Sequence, residues 1–397
     1  MRFYIFLYLF FLNFYSIFSQ VKSQTYASIT TGAQQTSEYL PKLKNKKVAI
    51  VTNASGIINN CHIVDTLLKH HIKIVKIFGP EHGFRGTSDA GEKVKSGKDF
   101  KTKITVVSLY GSHKKPTKED LKGIDVVVYD IQDVGVRFYT YISTMTYIME
   151  ACAENNKELL ILDRPNPNGF YIDGPVMQDS YKSFLGLHHV PLVYGMTCGE
   201  YAQMVNNEGW LKNNIKCKLM VIALKNYDRT KFVSNLPVKP SPNLPNDTAI
   251  LLYPSLGLFE GTIMSLGRGT AMPFQILGNP YADSSFFKYQ FTPTSTTITK
   301  KPKYQDTLCY GINAGLQVNS LLNKNMLNLT LLKEFYKHSK DKQAVFFDKN
   351  FNYHAGNEEL KEQIMKDFSP EQIRASWQPA LDSFKVIRKK YLIYKDF

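Results

Sequence analysis

Apolar residues in the N-terminal half of the chain form short, nearly continuous runs separated by segments of helical spacing. The runs KVAIVTN, IKIVKIFG, ITVVSLYG, DVVVYDIQD and ELLILDRPNP are rich in β-branched residues. Between them, HIVDTLLKHH and YTYISTMTYIMEACAENN carry apolar residues at helical spacing. β-branched runs that alternate with helices predict a parallel sheet covered on both faces. We therefore expect an α/β fold built on a Rossmann-like, doubly wound parallel sheet.

The length of 397 residues and a Pro- and Asn-rich segment, VKPSPNLPND, indicate two domains. We place a Rossmann-like domain at 37–240 and a second, smaller α+β domain at 241–397. Residues 1–19 contain one arginine followed by an apolar run, which is typical of a secretory signal peptide. A retained N-terminal anchor is the alternative. We expect a periplasmic or secreted protein with no stable membrane insertion after signal cleavage.

Charge and motifs exclude several classes of function. The net charge of +15 favours anionic partners, but the lysines are scattered and no nucleic-acid motif occurs, so nucleic-acid binding is not predicted. Five cysteines without Cys-x-x-Cys spacing argue against a zinc knuckle. TNASGIINN, after the first strand, lacks the G-x-G-x-x-G fingerprint of nicotinamide binding. No G-x-S-x-G motif supports a serine hydrolase. The sequence leaves the oligomeric state open.

Polar side chains follow three predicted strands at the same edge of the sheet. They are found in FGPEHGFRG, in DIQDVGVR and in LDRPN. Ligands of open α/β sheets bind outside the carboxyl ends of the strands, so this edge is the expected site. A structural role as a cap, a turn residue or an internal ion pair is the alternative for each residue. The candidates are Glu81, His82, Arg85, Asp130, Gln132, Asp133, Arg137, Asp163, Arg164 and Asn166.

Three chemistries fit this cluster. Glycoside hydrolysis needs a carboxylic acid to protonate the leaving oxygen. A metal site can use the Glu, His and Asp side chains as ligands, although no His-x-x-x-His or Asp-x-Asp spacing supports it. Arginines can also clamp an anion without chemistry. A metal-dependent hydrolase and a non-catalytic binding protein are therefore the alternatives to a glycosidase.

Longer motifs resemble one known family over nearly the whole chain, from about Tyr39 onward. They are GPEHGFRG, DAGEKV, DIQDVGVRFYTYISTM, LDRPNPNG, YGMTCGEYA, PSPNLP and LFEGTIMSLGRGTAMPFQILGNP. These segments are similar to those of the exo-β-N-acetylmuramidases of bacterial peptidoglycan recycling. The resemblance implies a glycoside hydrolase that releases terminal β-linked N-acetylmuramic acid from the non-reducing end of peptidoglycan-derived muramyl glycans. It also implies a catalytic N-terminal domain, an accessory C-terminal domain, a cleft between them and no nicotinamide cofactor. We expect no cofactor and no metal, and a non-catalytic binder of cell-wall fragments is the alternative.

The resemblance places the catalytic acid at Glu81, within PEHG. A general acid must keep its proton near neutral pH, and burial beside Phe78 and Phe84 can achieve this. Glu92 and Asp130 are the candidates for a second catalytic group, with Asp133 as a further one. Participation of the N-acetyl group of the substrate is the alternative, because some glycosidases do not use two carboxylates.

The substrate implied by the resemblance carries a lactyl carboxylate, which a planar guanidinium can bind through two parallel hydrogen bonds. We expect at least one arginine to bind it, and pairing with the neighbouring aspartates is the alternative. The candidates are Arg85, Arg137, Arg164 and Arg268. Tyr139 is a candidate for stacking on a sugar ring. Glu260 and Arg268, in LFEGTIMSLGRGTAMPF, are expected to close on the site from the C-terminal half.

Overall fold

The computed structural model describes residues 22–81, 83–85, 96–318 and 325–397. The predicted signal peptide lies outside these ranges. Two predicted site residues, His82 and Glu92, also lie outside them. None of the helices within the described ranges has the length and apolar character needed to cross a membrane.

Seven strands form one large sheet in which the parallel direction dominates. The strands of the described residues are, in chain order, β1 (Ser23–Thr25), β2 (Lys47–Thr52), β3 (Ile57–Ile58), β4 (Cys61–His62), β5 (Lys73–Gly79), β6 (Gly97–Lys98), β7 (Thr105–Ser108), β8 (Val126–Asp130), β9 (Glu158–Leu162), β10 (Lys218–Ile222), β11 (Phe232–Ser234), β12 (Ile276–Asn279), β13 (Tyr289–Phe291) and β14 (Cys309–Asn313). The large sheet has the order β10-β9-β8-β2-β5-β7-β6, and β6 is its antiparallel edge strand. The expected α/β architecture with a large parallel sheet is confirmed.

The strand order of this sheet determines where a ligand can approach. Counted along the chain, the six parallel strands from β7 to β10 lie in the order 3-2-1-4-5-6. The order reverses between β2 and β8, which pair in parallel from Val48 to Thr52. A crevice outside the carboxyl ends of the strands at such a reversal is the usual ligand site of open α/β sheets.

Helices cover both faces of the sheet. Within the described residues the α-helices are, in chain order, α1 (Thr36–Leu43), α2 (Ile63–Lys69), α3 (Tyr141–Glu154), α4 (Cys198–Asn207), α5 (Asp247–Leu256), α6 (Leu329–Lys337), α7 (Phe351–Ala355), α8 (Glu359–Met365) and α9 (Pro370–Lys389), and α1 to α4 are the ones that pack on the large sheet. In β2, Val48 and Ile50 pack in the cluster that contains α1 and α2. Ala49 and Val51 pack in the cluster that contains α3 and α4, because successive side chains of a strand point to opposite faces.

The C-terminal half adds a small antiparallel sheet, β12-β14-β13, and the helices α6 to α9. Its apolar side chains continue the larger of the two sheet-face clusters, so Phe351 and Trp377 share one core with α3. The chain then returns to the N-terminal half, where the Tyr394 hydroxyl donates to Asp163 at 2.7 Å. The domain boundary at residue 240 stays a prediction.

Candidate active site

A cleft of about 430 Å³ lies between the carboxyl edge of the large sheet and the C-terminal half. Its lining comes from both halves of the chain: Glu81, Phe138, Tyr139, Thr140, Tyr141, Leu185, Ser241, Asn243, Tyr253, Glu260, Arg268 and His354. A second cleft of about 470 Å³ lies at the amino ends of β8 to β10, where Glu158 is the acidic residue among several lysines. The first cleft brings two carboxylates together at the expected edge, so it is the candidate active site.

Glu81 reaches the cleft from the turn that follows β5. Gly83 adopts a φ of 74°, which favours glycine, and its N–H donates to the Pro80 carbonyl at 3.0 Å. The Glu81 carboxyl group forms a side-chain hydrogen bond with Tyr110, and the Tyr141 hydroxyl donates to the Glu81 backbone carbonyl at 3.4 Å. Burial, then the charge of Glu81 and this hydrogen bond, raise the pKa of Tyr110 to about 12. Glu81 is therefore held at the cleft by two tyrosines.

Aromatic side chains form one wall of the cleft. The ring of Tyr139 lies 4.9 Å from that of Tyr141 and 5.9 Å from that of Tyr253, both in edge-to-face geometry. Phe138 contacts the other side of Tyr253 at 5.3 Å. The Tyr139 hydroxyl donates to the Pro240 carbonyl at 2.5 Å. Because these rings fix one another, the wall is preformed, as is usual for small-molecule sites.

Glu260 and Arg268 enter the cleft from the C-terminal half as an ion pair. Glu260 lies in the single 3₁₀ turn Gly257–Gly261 that follows α5, and Arg268 Nη2 donates to its Oε1. The Arg268 guanidinium lies 5.2 Å from the centroid of the Phe274 ring. Both flanking glycines of Arg268 have positive φ, 71° and 82°. The side chains of the pair keep 31% and 24% of their surface exposed, for Arg268 and Glu260, so a ligand can reach them.

Charged groups from both halves of the chain act on the hydroxyl of Tyr253. Burial is the main cause that raises the pKa of the Tyr253 hydroxyl well above its usual value. The charge of Glu260 raises it further, that of Arg268 lowers it, and that of Glu81 raises it. Glu81, Glu260 and Arg268 therefore act on the same hydroxyl, which places acid and ion pair around one aromatic wall.

Asp130, which was expected as a second catalytic group, lies outside the cleft. It is fully buried, and Arg164 donates to its two oxygens at 2.6 and 3.0 Å. Arg164 also donates to the Tyr26 hydroxyl at 2.8 Å and to the Ile57 carbonyl at 3.1 Å. Because each partner satisfies the other, the pair holds the end of β8 outside the cleft. The expected catalytic role of Asp130 and substrate-binding role of Arg164 stay predictions.

Asp133 and Gln132 also point into the protein. Asp133 accepts from the Tyr194 hydroxyl and, at 2.7 Å, from the Gly135 N–H. Burial is the main cause that raises the pKa of Asp133 to about 6. The Gln132 amide donates to the carbonyls of Asp133 and Pro165, both at 2.7 Å. These side chains hold the loop after β8, and neither lines the cleft.

Asp163 and Asn166 hold the loop after β9. Asp163 accepts from the Thr197 hydroxyl, the Gly199 N–H and the Tyr394 hydroxyl at 2.7, 2.9 and 2.7 Å. Burial is the main cause that raises the pKa of Asp163 to about 6. Asn166 donates to the Met196 carbonyl at 2.9 Å. Both side chains make contacts within the chain and neither lines the cleft, so their expected substrate-binding role stays a prediction.

The two other candidate arginines are likewise occupied. Arg137 is fully buried and donates to four backbone carbonyls, those of Pro175, Val190, His354 and Ala355. Arg85 makes a bidentate pair with Asp99 at 2.8 and 2.9 Å. Arg137 joins the two halves and Arg85 anchors the turn beside Glu81, so neither side chain lines the cleft.

Tyr253 and His354 line the cleft but carried no recognisable signal in the sequence, and Tyr110, the side-chain partner of Glu81, was missed as well. Tyr253 lies inside α5, where its spacing is that of an ordinary core aromatic, and His354 lies in the short helix α7. Tyr110 follows β7, the neighbour of β5, so the strand-end rule could have found it. Within the described residues, no group of three His, Cys, Asp or Glu side chains is arranged to hold a metal ion.

An acid, an ion pair and an aromatic wall in one cleft are the features expected of a carbohydrate-active hydrolase. Comparisons with known proteins carry this further. The family models described as exo-beta-N-acetylmuramidase NamZ, N-terminal and C-terminal, match residues 48–248 and 251–394. The chain belongs to this family.

The relatives are similar to this chain over most of their own length. The peptidoglycan beta-N-acetylmuramidase NamZ of Bacillus subtilis is 39% identical over 378 residues, which cover 90% of this chain and 89% of the relative. Two crystal structures of DUF1343 family proteins from Bacteroides fragilis are 42% and 31% identical, with TM-scores of 0.86 and 0.78. Each covers 93% of this chain and 99% of its own.

Proposed function

We propose that the protein is an exo-acting glycosidase that releases terminal β-linked N-acetylmuramic acid from the non-reducing end of peptidoglycan fragments. Family membership and the curated relative support the reaction class and the peptidoglycan substrate. The observation that carries the proposal for this chain is the cleft that contains Glu81 on one side and the Glu260–Arg268 pair on the other.

Glu81 acts as the general acid in this proposal. It donates a proton to the glycosidic oxygen as the bond to the anomeric carbon breaks, and positive charge then develops on the sugar ring. Tyr110 holds the Glu81 side chain, and the wall around Tyr139 accepts the apolar face of the sugar. Glu260, the other cleft carboxylate, is paired with Arg268, so the N-acetyl group of the substrate is our choice for the second catalytic group.

Three finer points belong to the same proposal. The strand order 3-2-1-4-5-6 supports a Rossmann-like catalytic domain at 37–240, and the antiparallel sheet β12-β14-β13 supports an α+β accessory domain at 241–397. The apolar run in residues 1–19 supports export to the periplasm or the medium. Cell fractionation with an antibody against the protein tests export, and a cytoplasmic signal alone contradicts it.

Chromophore release from a para-nitrophenyl β-N-acetylmuramic acid glycoside tests the activity. We expect release by the wild type, loss of release in Glu81→Gln, and no effect of EDTA. Glu158→Gln is the matched control, because it removes a carboxylate from the other cleft, and we expect it to keep full activity. Release that EDTA abolishes would favour a metal-dependent hydrolase, and binding of muramyl glycans without release would favour a binding protein.

A further inference from the structure

The contacts that the four candidate arginines make within the chain show which of them is available to bind an acidic sugar. Within the described residues, the hydrogen bonds of the Arg137 guanidinium go to backbone carbonyls. Arg164 pairs with Asp130, and 1% of the Arg164 side chain is exposed. Arg85 pairs with Asp99, whose carboxyl pKa this pairing lowers far below its usual range. Arg268 differs from these three because it lines the cleft and keeps 31% of its side chain exposed.

The guanidinium of Arg268 keeps N–H donors that the described residues do not use. A guanidinium carries five N–H donors in a rigid fork. Within the described residues, Arg268 donates one hydrogen bond, from Nη2 to Glu260. The Arg268 guanidinium also lies 5.2 Å from the centroid of the Phe274 ring. Glu260 and Phe274 therefore fix the plane of the fork while N–H groups remain for a ligand.

A carboxylate is the chemical group that fits such a fork best, since it can accept two parallel hydrogen bonds. The terminal sugar of the proposed substrate differs from N-acetylglucosamine by a lactyl carboxylate. Resting on the proposed function, we infer that Arg268 binds this lactyl carboxylate and that Glu260 is the positioning residue that orients the guanidinium. The cleft thereby selects muramic acid over neutral sugars of the same shape.

A pair of substrates that differ in one charge tests this inference. The first is the para-nitrophenyl β-N-acetylmuramic acid glycoside, and the second is its lactyl methyl ester, which loses the charge and adds one methyl group. We expect the wild type to prefer the acid in kcat/KM by about 10- to 100-fold, the range of a hydrogen bond to a charged group. Arg268→Gln should lose this preference, and Arg268→Lys, which keeps charge without the fork, should retain part of it.

Two further variants separate a binding role from a structural one. Glu260→Gln should raise KM for the acid more than for the ester, because it loosens the guanidinium without removing it. Lys366→Gln is the matched control, since it breaks an exposed Lys–Glu pair at 3.0 Å on α8 and removes one positive charge outside the cleft. We expect this control to keep the wild-type preference.

The outcomes distinguish the inference from the proposed function. If the wild type releases chromophore and Arg268→Gln loses the same factor on acid and ester, Arg268 is structural and the inference is overturned. Equal use of acid and ester by the wild type overturns it as well. If the wild type releases chromophore from neither substrate, the proposed function fails first, and the inference fails with it.

Discussion

Tyr110 and Glu81 are joined by a side-chain hydrogen bond, although they follow different strands of the sheet. β5 and β7 are parallel neighbours, with Gly79 in register with Ser108, so the turns after them lie side by side. The pairing of β5 with β7 thus places the hydroxyl of Tyr110 beside the proposed acid. This contact fixes the Glu81 carboxyl group at the rim of the cleft.

Replacing Tyr110 by Phe removes this hydrogen bond and keeps the ring. We expect kcat to fall about tenfold with little change in KM, because the acid loses its orientation while the sugar keeps its contacts. Steady-state kinetics on the muramic acid glycoside measures both constants. Tyr391→Phe is the control, since it removes a Tyr–Glu hydrogen bond of 2.6 Å to Glu208 away from the cleft. A kcat within twofold of the wild type in Tyr110→Phe would contradict this role.

Arg137 joins the two halves through the carbonyls of Pro175 and Val190 on one side and of His354 and Ala355 on the other. Arg137→Met removes a donor from all four buried carbonyls, of which that of Val190 keeps the Met177 N–H at 3.1 Å. We expect the free energy of unfolding to fall by about 3 kcal/mol or more. Thermal unfolding of Arg137→Met beside the exposed Lys366→Met checks this. Equal melting temperatures for the two variants would show that the buried arginine carries no special stability.

Asp130→Asn tests whether the end of β8 is catalytic or structural. The substitution leaves Arg164 buried with no counter-charge, which costs about 3 kcal/mol or more. We expect a lower melting temperature, with a kcat for the folded protein close to the wild type. Activity at 15 °C, normalised to the folded fraction from circular dichroism, separates the two effects. An unchanged melting temperature with a lost kcat would return Asp130 to the list of catalytic groups.

Asp133 makes stability depend on pH in an unusual direction. Its pKa is about 6 in the folded protein and near the usual 3.8 in the unfolded chain, so the folded state binds more protons between these values. Stability from this group is therefore fully present below pH 3.8 and is lost as pH rises through 6. We expect the melting temperature of the wild type, relative to Asp133→Asn, to fall between pH 4.5 and pH 7.

The pKa of Asp99 is shifted in the opposite direction, so its effect on stability has the opposite pH dependence. The hydrogen bonds from Arg85 hold its pKa far below 3.8, so its stabilising effect is complete above that pH and is lost only in stronger acid. The difference between the wild type and Asp99→Asn should thus stay constant between pH 4.5 and pH 7. If the difference for Asp133→Asn is equally constant over this range, the Asp133 carboxyl is ionised in the folded protein.

The sequence predicted the parallel sheet, and the edge at which the candidate cleft lies, because β-branched runs and strand ends are local features. The same edge rule could not tell Glu81, which faces the cleft, from Asp130, which faces Arg164. Side-chain direction depends on partners far along the chain. Asp163 meets Tyr394 at a separation of 231 residues, and Arg137 meets Ala355 at 218. Tyr253 and His354 escaped prediction for the same reason, since helical spacing marks them only as core residues.

The segment from Arg137 to Tyr139 has a consequence for how this protein can evolve. Arg137 bonds to the carbonyls of His354 and Ala355, Phe138 lies 5.7 Å from the His354 ring, and Tyr139 bonds to Pro240. Arg137 and Phe138 thus carry the seam between the halves, while Phe138 and Tyr139 line the cleft. The two halves are therefore constrained to be inherited together: exchanging either for a distant relative's would disrupt the seam and the binding surface in a single event.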